Sequence, residues 1–188
     1  MAYSLEEFCR DCRDALRKDP GDGGREVIRE HLQRLLQNKP LVEEHCSPDR
    51  PMGTYTMYHD PELDFYVLAH CFAKGSKSPP HDHWNSWAVY GQARHHTDMT
   101  VWGRTDDGSR KDHAELEVKR AYRLNPGDAG VFHPGDIHSI DFPEGARFIR
   151  VTGTDLNRVD QAVYNLKDQT VKIASAAAAI DSESRARA

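Results

Sequence analysis

The sequence contains no apolar run approaching the ~18 residues of a membrane-spanning helix, which argues against a membrane partner. Cysteine is scarce. Cys9, Cys12, Cys46 and Cys71 are too few for a disulfide scaffold. Positive charge is not in excess: 25 Lys and Arg against 30 Asp and Glu leave a net charge of −5. No basic stretch dominates, so a nucleic-acid partner is not expected and a small-molecule substrate is. The beginning, Met1-Ala2-Tyr3-Ser4-Leu5-Glu6-Glu7, is acidic and polar, unlike a signal peptide. A cytoplasmic location is the default expectation. No internal repeat of solenoid type is present.

What is there suits a soluble chain with one core. Of its 188 residues, 38% are hydrophobic and 29% charged, enough for a single domain. Ser4 and Glu7 form a capping box, predicting a helix over Leu5 to Lys18. Cys9-Arg10-Asp11-Cys12 has redox or zinc spacing, but Leu5, Phe8, Cys9, Cys12 and Leu16 make one helical apolar stripe. The pair reads as core. Asp19 to Gly24 reads as a loop, Arg25 to Asn38 as a second helix, and Pro40 to His45 as a short third.

From Gly53 the pattern changes to strands at Thr54–Tyr58, Phe65–Phe72, Ser86–Gly91, Thr97–Gly103, Leu116–Leu124, Ala129–His133, Ser139–Phe142 and Arg147–Thr152. A hairpin follows over Val159 to Ile173, around Lys167-Asp168-Gln169. Turn signals such as Asn125-Pro126-Gly127-Asp128 separate them. Many short strands with Gly/Pro turns predict a sandwich or barrel. The expected division is a helical cap over 1–48, a barrel over 53–173 and a flexible tail over 174–188, with 1–173 one domain.

Three histidines carry the chemistry. His81 and His83 follow the turn Ser78-Pro79-Pro80, and His138 follows Pro134-Gly135-Asp136-Ile137. On a strand, residues i and i+2 share a face, so His81 and His83 can present two imidazoles to one point and His138 a third. Three neutral imidazoles make a divalent transition-metal site with coordination positions left open.

Gly75-x5-His81-x-His83, with Gly135-x2-His138 downstream, resembles the two sequence blocks of the cupin superfamily. The resemblance implies a mainly β fold, the cupin double-stranded β-helix or jelly-roll barrel, here with an N-terminal α-helical cap. The general cupin pattern has a glutamate four or five residues after the second histidine. Trp87 and Ala88 stand there instead. Cysteine dioxygenase and its thiol-dioxygenase relatives also use three histidines and no glutamate, and Cys71 to His83 resembles their corresponding stretch. The resemblance spans roughly Thr54 to Leu156. It implies an Fe(II)-dependent dioxygenase acting with O2 on a small thiol or related anionic substrate other than typical cysteine, as a monomer or homodimer. Zn, Ni or Mn in a lyase or isomerase is the alternative, as is a non-catalytic metal- or ligand-binding cupin.

The departures bear on substrate. The family's carboxylate-gripping arginine is matched by Met57, its crosslinked cysteine by Ala88, and its Ser-His-Tyr relay falls within Phe148 to Leu156, where Phe148, Arg150 and Thr152 replace it. A short acid needs a charged anchor, and arginine is the strong choice. Arg150 can take that role from an inward position, or it is a solvated surface arginine. Tyr55, Met57, Trp87, Arg150 and Phe132 are the expected substrate-binding residues, with Trp84 and Phe72 as further walls. Catalytic candidates are Arg150, His70 and His95, although only one of His95 and His96 can point inward on a strand. Asp136 and Ser139 flank His138 and can orient its ring. Asp82 is expected to face away from the metal and bond a neighbouring backbone group.

Overall fold

A computed structural model describes residues 2–176. Three helices come first: α1 (Leu5–Lys18), α2 (Asp22–Leu35) and α3 (Lys39–Cys46). The strands follow as β1 (Gly53–His59), β2 (Tyr66–Cys71), β3 (Ser76–Lys77), β4 (Ala88–Arg94), β5 (Thr97–Arg104), β6 (Leu116–Leu124), β7 (Ala129–Phe132), β8 (Ile137–Phe142), β9 (Arg147–Thr152), β10 (Gln161–Asn165) and β11 (Thr170–Ala174).

α1 begins where its capping box requires. Glu7 N–H donates to Ser4 Oγ at 3.2 Å, and Ser4 N–H donates to the Glu7 carboxylate at 2.8 Å. Its buried side includes Phe8, Cys9 and Cys12. Burial pushes the Cys9 thiol up to about 12, and Cys12 well above its ordinary range, as core thiols rather than redox or zinc groups require.

α2 differs from the sequence expectation at both ends. It starts at Asp22, inside the expected loop, because Gly24 lets its first turn lie on the end of α1. A Cβ at Gly24 would sit 1.9 Å from the Asp19 carbonyl oxygen and 3.1 Å from that of Ala15. It stops at Leu35 because Asn38 caps the next helix, its side-chain oxygen accepting from Leu41 N–H at 3.2 Å. Gly24→Ala should therefore destabilise the fold by about 1–3 kcal/mol through overpacking against backbone. A denaturant melt of the variant checks this.

The strands form two antiparallel sheets, ordered β1-β2-β9-β4-β7 and β3-β8-β5-β6, with β10 and β11 as a separate hairpin. The chain crosses between sheets repeatedly, from β2 to β3 to β4 and from β7 to β8 to β9. This is the double-stranded β-helix of the cupin fold, a jelly-roll barrel. Period-two alternation divides the five-stranded sheet. Val67, Ala69, Trp87, Val89, Ile149 and Val151 face outward onto Phe8, Ile28, Leu32 and Leu35 of the helices. Ala88, Tyr90, Phe132 and Phe148 face inward, with Met99, Leu124 and Phe142.

Ion pairs fasten the helices to the barrel, among them Arg13, which donates to the buried Asp60 carboxylate at 2.8 Å. The β10–β11 hairpin forms as expected, but Ala174, read from sequence as tail, is paired with Gln161. Ala176, also read as tail, donates its N–H to the Asp160 carboxylate at 2.9 Å, and residues 177–188 of that expected tail lie outside the described residues. No described helix is long and apolar enough to cross a membrane.

Candidate metal centre

His81 and His138 are directly opposed. Each backbone N–H donates to the other's carbonyl at 2.9 Å. This two-residue bridge fixes both side chains at one point on the barrel wall. His83 does not continue a strand from His81, contrary to the sequence expectation. The chain turns there instead. Asp82 carboxylate accepts from Trp84 N–H at 3.1 Å and from Ala162 N–H of β10 at 2.9 Å. Trp84 takes a positive φ of 51°, and Ser86 N–H closes onto the His83 carbonyl at 2.8 Å. A side-chain-stapled turn, rather than a pleat, brings His83 to the other two.

The three rings converge, with centroids 5.2 Å apart for His81–His83, 4.5 Å for His81–His138 and 4.9 Å for His83–His138. One ring nitrogen from each lies within 4.8 Å of the others. His81 Nδ1 is 3.0 Å from the Pro79 carbonyl, and His138 Nδ1 is 3.3 Å from that of Asp136. A Nδ1–H donating to a carbonyl leaves Nε2 with its lone pair outward, the form a metal requires. His138 Nε2 and both ring nitrogens of His83 are buried without a hydrogen-bond partner. Orphaned buried nitrogens of this kind call for a missing partner, and a cation shared by three imidazoles supplies one.

Electrostatics agree. Burial, followed by the neighbouring His81, pushes His138 down to about 3. Burial and then His138 and His81 push His83 down further, and burial lowers His81 also. All three are neutral at pH 7, as metal ligands must be. Phe132 stacks on His138 at 3.8 Å between centroids, with planes 11° apart, and locks that ring.

The other expected site residues divide. Phe132, Arg150 and His70 do face the interior. Arg150 lies over Tyr90, its guanidinium carbon 5.8 Å from the ring centroid. His70 is 5% exposed and stacks on Phe148 at 4.9 Å. Phe72 packs beside them, 5.5 Å from Phe148.

Tyr55, Met57 and Trp87 do not. Tyr55 pairs with Ala69, an outward residue, and its hydroxyl donates to the Pro51 carbonyl. Met57 is the unpaired residue of a bulge between Thr56 and Tyr58 and packs toward the helices. Trp87 also belongs to the helix-facing layer, where its ring meets the bare Cα of Gly153. Trp84 is half exposed, not a buried wall. His95 is excluded from the site: it is exposed, with φ 58°, in the turn between β4 and β5. Thr97, at the start of β5, is four register positions (about 13 Å) from Val101, the residue paired with His138. Ser139 does not orient His138, since its hydroxyl accepts from Trp102 Nε1 at 2.9 Å. Asp136 does so through its backbone carbonyl, while its carboxylate accepts from His133 N–H.

Sequence reasoning missed Tyr90, which is inward, 2% exposed and 6.1 Å from the His138 ring. Its period-two relation to Ala88 and Gln92 on β4 was the available signal. Asp82→Ala should loosen the turn carrying His83 and lower metal affinity by about 10–100-fold. A competition titration with a chromogenic chelator reads that loss.

The barrel and its histidine group define a cupin-fold protein with three imidazoles able to hold a metal ion. No family model matches the chain, and no curated protein matches it. Solved structures similar to it include KdgF from Halomonas sp., with 18% identity over 53% of this chain and 74% of that one, TM-score 0.40. Another is the Cnp3 cupin domain of Schizosaccharomyces pombe, with 13% identity over 57% and 71%, TM-score 0.42. A third is the hydroquinone 1,2-dioxygenase PnpCD, with 11% identity over 59% and 69%, TM-score 0.42.

Proposed function

We propose that this protein is a mononuclear non-haem Fe(II) dioxygenase that adds O2 to a small thiol or related anionic substrate. The observation that carries the reading is the ligand set: three neutral imidazoles converge, and no carboxylate among the described residues joins them. Ala88 is the inward residue where a four-ligand cupin has its glutamate, and it carries no donor.

Neutral ligands leave the full +2 charge of the ion in place, which favours an anionic co-ligand. Bound there, iron supplies Lewis acidity toward that anion and one-electron chemistry toward O2. The chain's own residues do the rest. The Pro79 and Asp136 carbonyls hold the His81 and His138 rings in the ligating tautomer. Phe132, Phe142 and Phe148 keep the interior apolar and exclude water from the reacting pair. Arg150 adds a positive charge facing the same space and so favours an anionic substrate.

Oxygen uptake by the iron-loaded protein, measured with an electrode across a panel of thiols, tests the proposal. Uptake that needs both Fe(II) and one of the thiols is expected. If no thiol stimulates uptake, the thiol form of the reading fails. Elemental analysis of protein purified without added metal separates iron from the Zn, Ni or Mn of a Lewis-acid enzyme.

A further inference from the structure

The barrel interior holds a cation with nothing to answer it. Arg150 stands on β9 between Leu68 of β2 and Tyr90 of β4, on the inward face. Several other arginines have carboxylates, such as Arg13 with Asp60 and Arg123 with Asp98, and the buried Arg147 donates to the backbone carbonyls of Phe72, Ala146 and Pro48. Arg150 has none among the described residues, and its Nε is buried without a hydrogen-bond partner. Leaving such a group unsatisfied costs free energy, so it needs a reason.

His70 is the second unanswered group. It pairs with Phe148 on β2–β9, one diagonal step from Arg150. Diagonal neighbours on one face lie about 7–8 Å apart, within reach of an arginine side chain. His70 Nδ1 is 3.1 Å from Thr54 Oγ1, whereas its Nε2 is buried and unpartnered. With the threonine hydroxyl donating to Nδ1, the ring hydrogen sits on Nε2 and is free to donate. Stacking on Phe148 fixes the ring plane.

We propose that Arg150 and His70 form a carboxylate-binding subsite on the barrel wall beside the three histidines. The guanidinium offers paired N–H donors to the carboxylate, and His70 Nε2–H offers a third. Tyr90, under the guanidinium, holds its plane by a cation–π contact. The ligand class is a small carboxylic acid whose other end reaches toward His138, the ring 6.1 Å from Tyr90. This deepens the dioxygenase reading by naming the handle of its substrate, and it rests on that reading only for what the other end does.

The test uses the full chain, both metal-loaded and after stripping with a chelator, with propionate as the probe and propionamide as its neutral counterpart. Histidine side-chain 1H–15N spectra report on His70 directly. Propionate is expected to shift the His70 signal saturably in both forms, and propionamide is not. Arg150→Gln should weaken propionate binding about tenfold or more, with Arg150→Lys intermediate. Equal responses to propionate and propionamide in the wild-type chain would overturn the subsite without any variant having to fold. Binding confined to the metal-loaded form would assign the carboxylate to the metal and overturn it too. Neither result touches metal binding by the three histidines, which the same samples report separately.

Discussion

His138→Ala should abolish metal binding and leave the barrel folded. The backbone of residue 138 keeps its two 2.9 Å bonds to residue 81 whatever its side chain. The ladder to Val101 on β5 is likewise made by backbone. What disappears is one of three ligands and the stack on Phe132. Two neutral imidazoles hold a divalent ion far less well than three. Affinity should fall by more than the roughly 10–100-fold expected when only a ring-orienting partner is lost. Calorimetric titration with Fe(II) under anaerobic conditions reads the affinity, and a thermal melt reads the fold. A large and equal loss of folding in metal-free protein would mean that residue 138 serves structure first.

Phe65→Ala should cost about 3–5 kcal/mol. Phe65 is fully buried and lies at the turn from β1 to β2, where its carbonyl accepts from Asp60 N–H at 2.9 Å. Its ring packs at 5.7 Å from Tyr58, within the layer that joins helices to barrel. Beside it Asp60, also fully buried, receives Arg13 of α1. Truncation would open a cavity at the junction that both layers share. Urea unfolding followed by circular dichroism gives the loss. A change under 1 kcal/mol would show that the helices and barrel are not coupled through this residue.

Much of this was legible in sequence where a local rule agreed with the tertiary fold. α1 runs over Leu5–Lys18 as expected, because a reciprocal cap and an apolar stripe specify the same helix. β6 and β9 also fall on their expected bounds, each closed by turn residues. The histidine group was legible because a turn motif precedes each half of it.

Side-chain direction was the harder quantity. A bulge at Met57 shifts the parity of β1, so the residues read as a substrate wall face the helices, and the inward positions are Thr54 and Thr56. Trp87 departs from its expected place for a related reason: the five-stranded sheet is buried on both faces, so an aromatic on β4's approach need not face the ligands. His81 and His83 converge through the turn that Asp82 staples to β10, a contact 80 residues away in sequence. No local pattern contains such a partner. Arg150 faces inward, and its lack of a counter-charge among the described residues is visible only once the strands around it are placed.

The measurement that bears most directly on the three-histidine centre is X-ray absorption of the iron-loaded full chain, with His81→Ala, His83→Ala and His138→Ala alongside. Three imidazoles in the iron shell, falling to two or to no bound iron in each variant, is the predicted result. An iron shell unchanged in any of the three variants, or one built on carboxylates or thiolates, would contradict it.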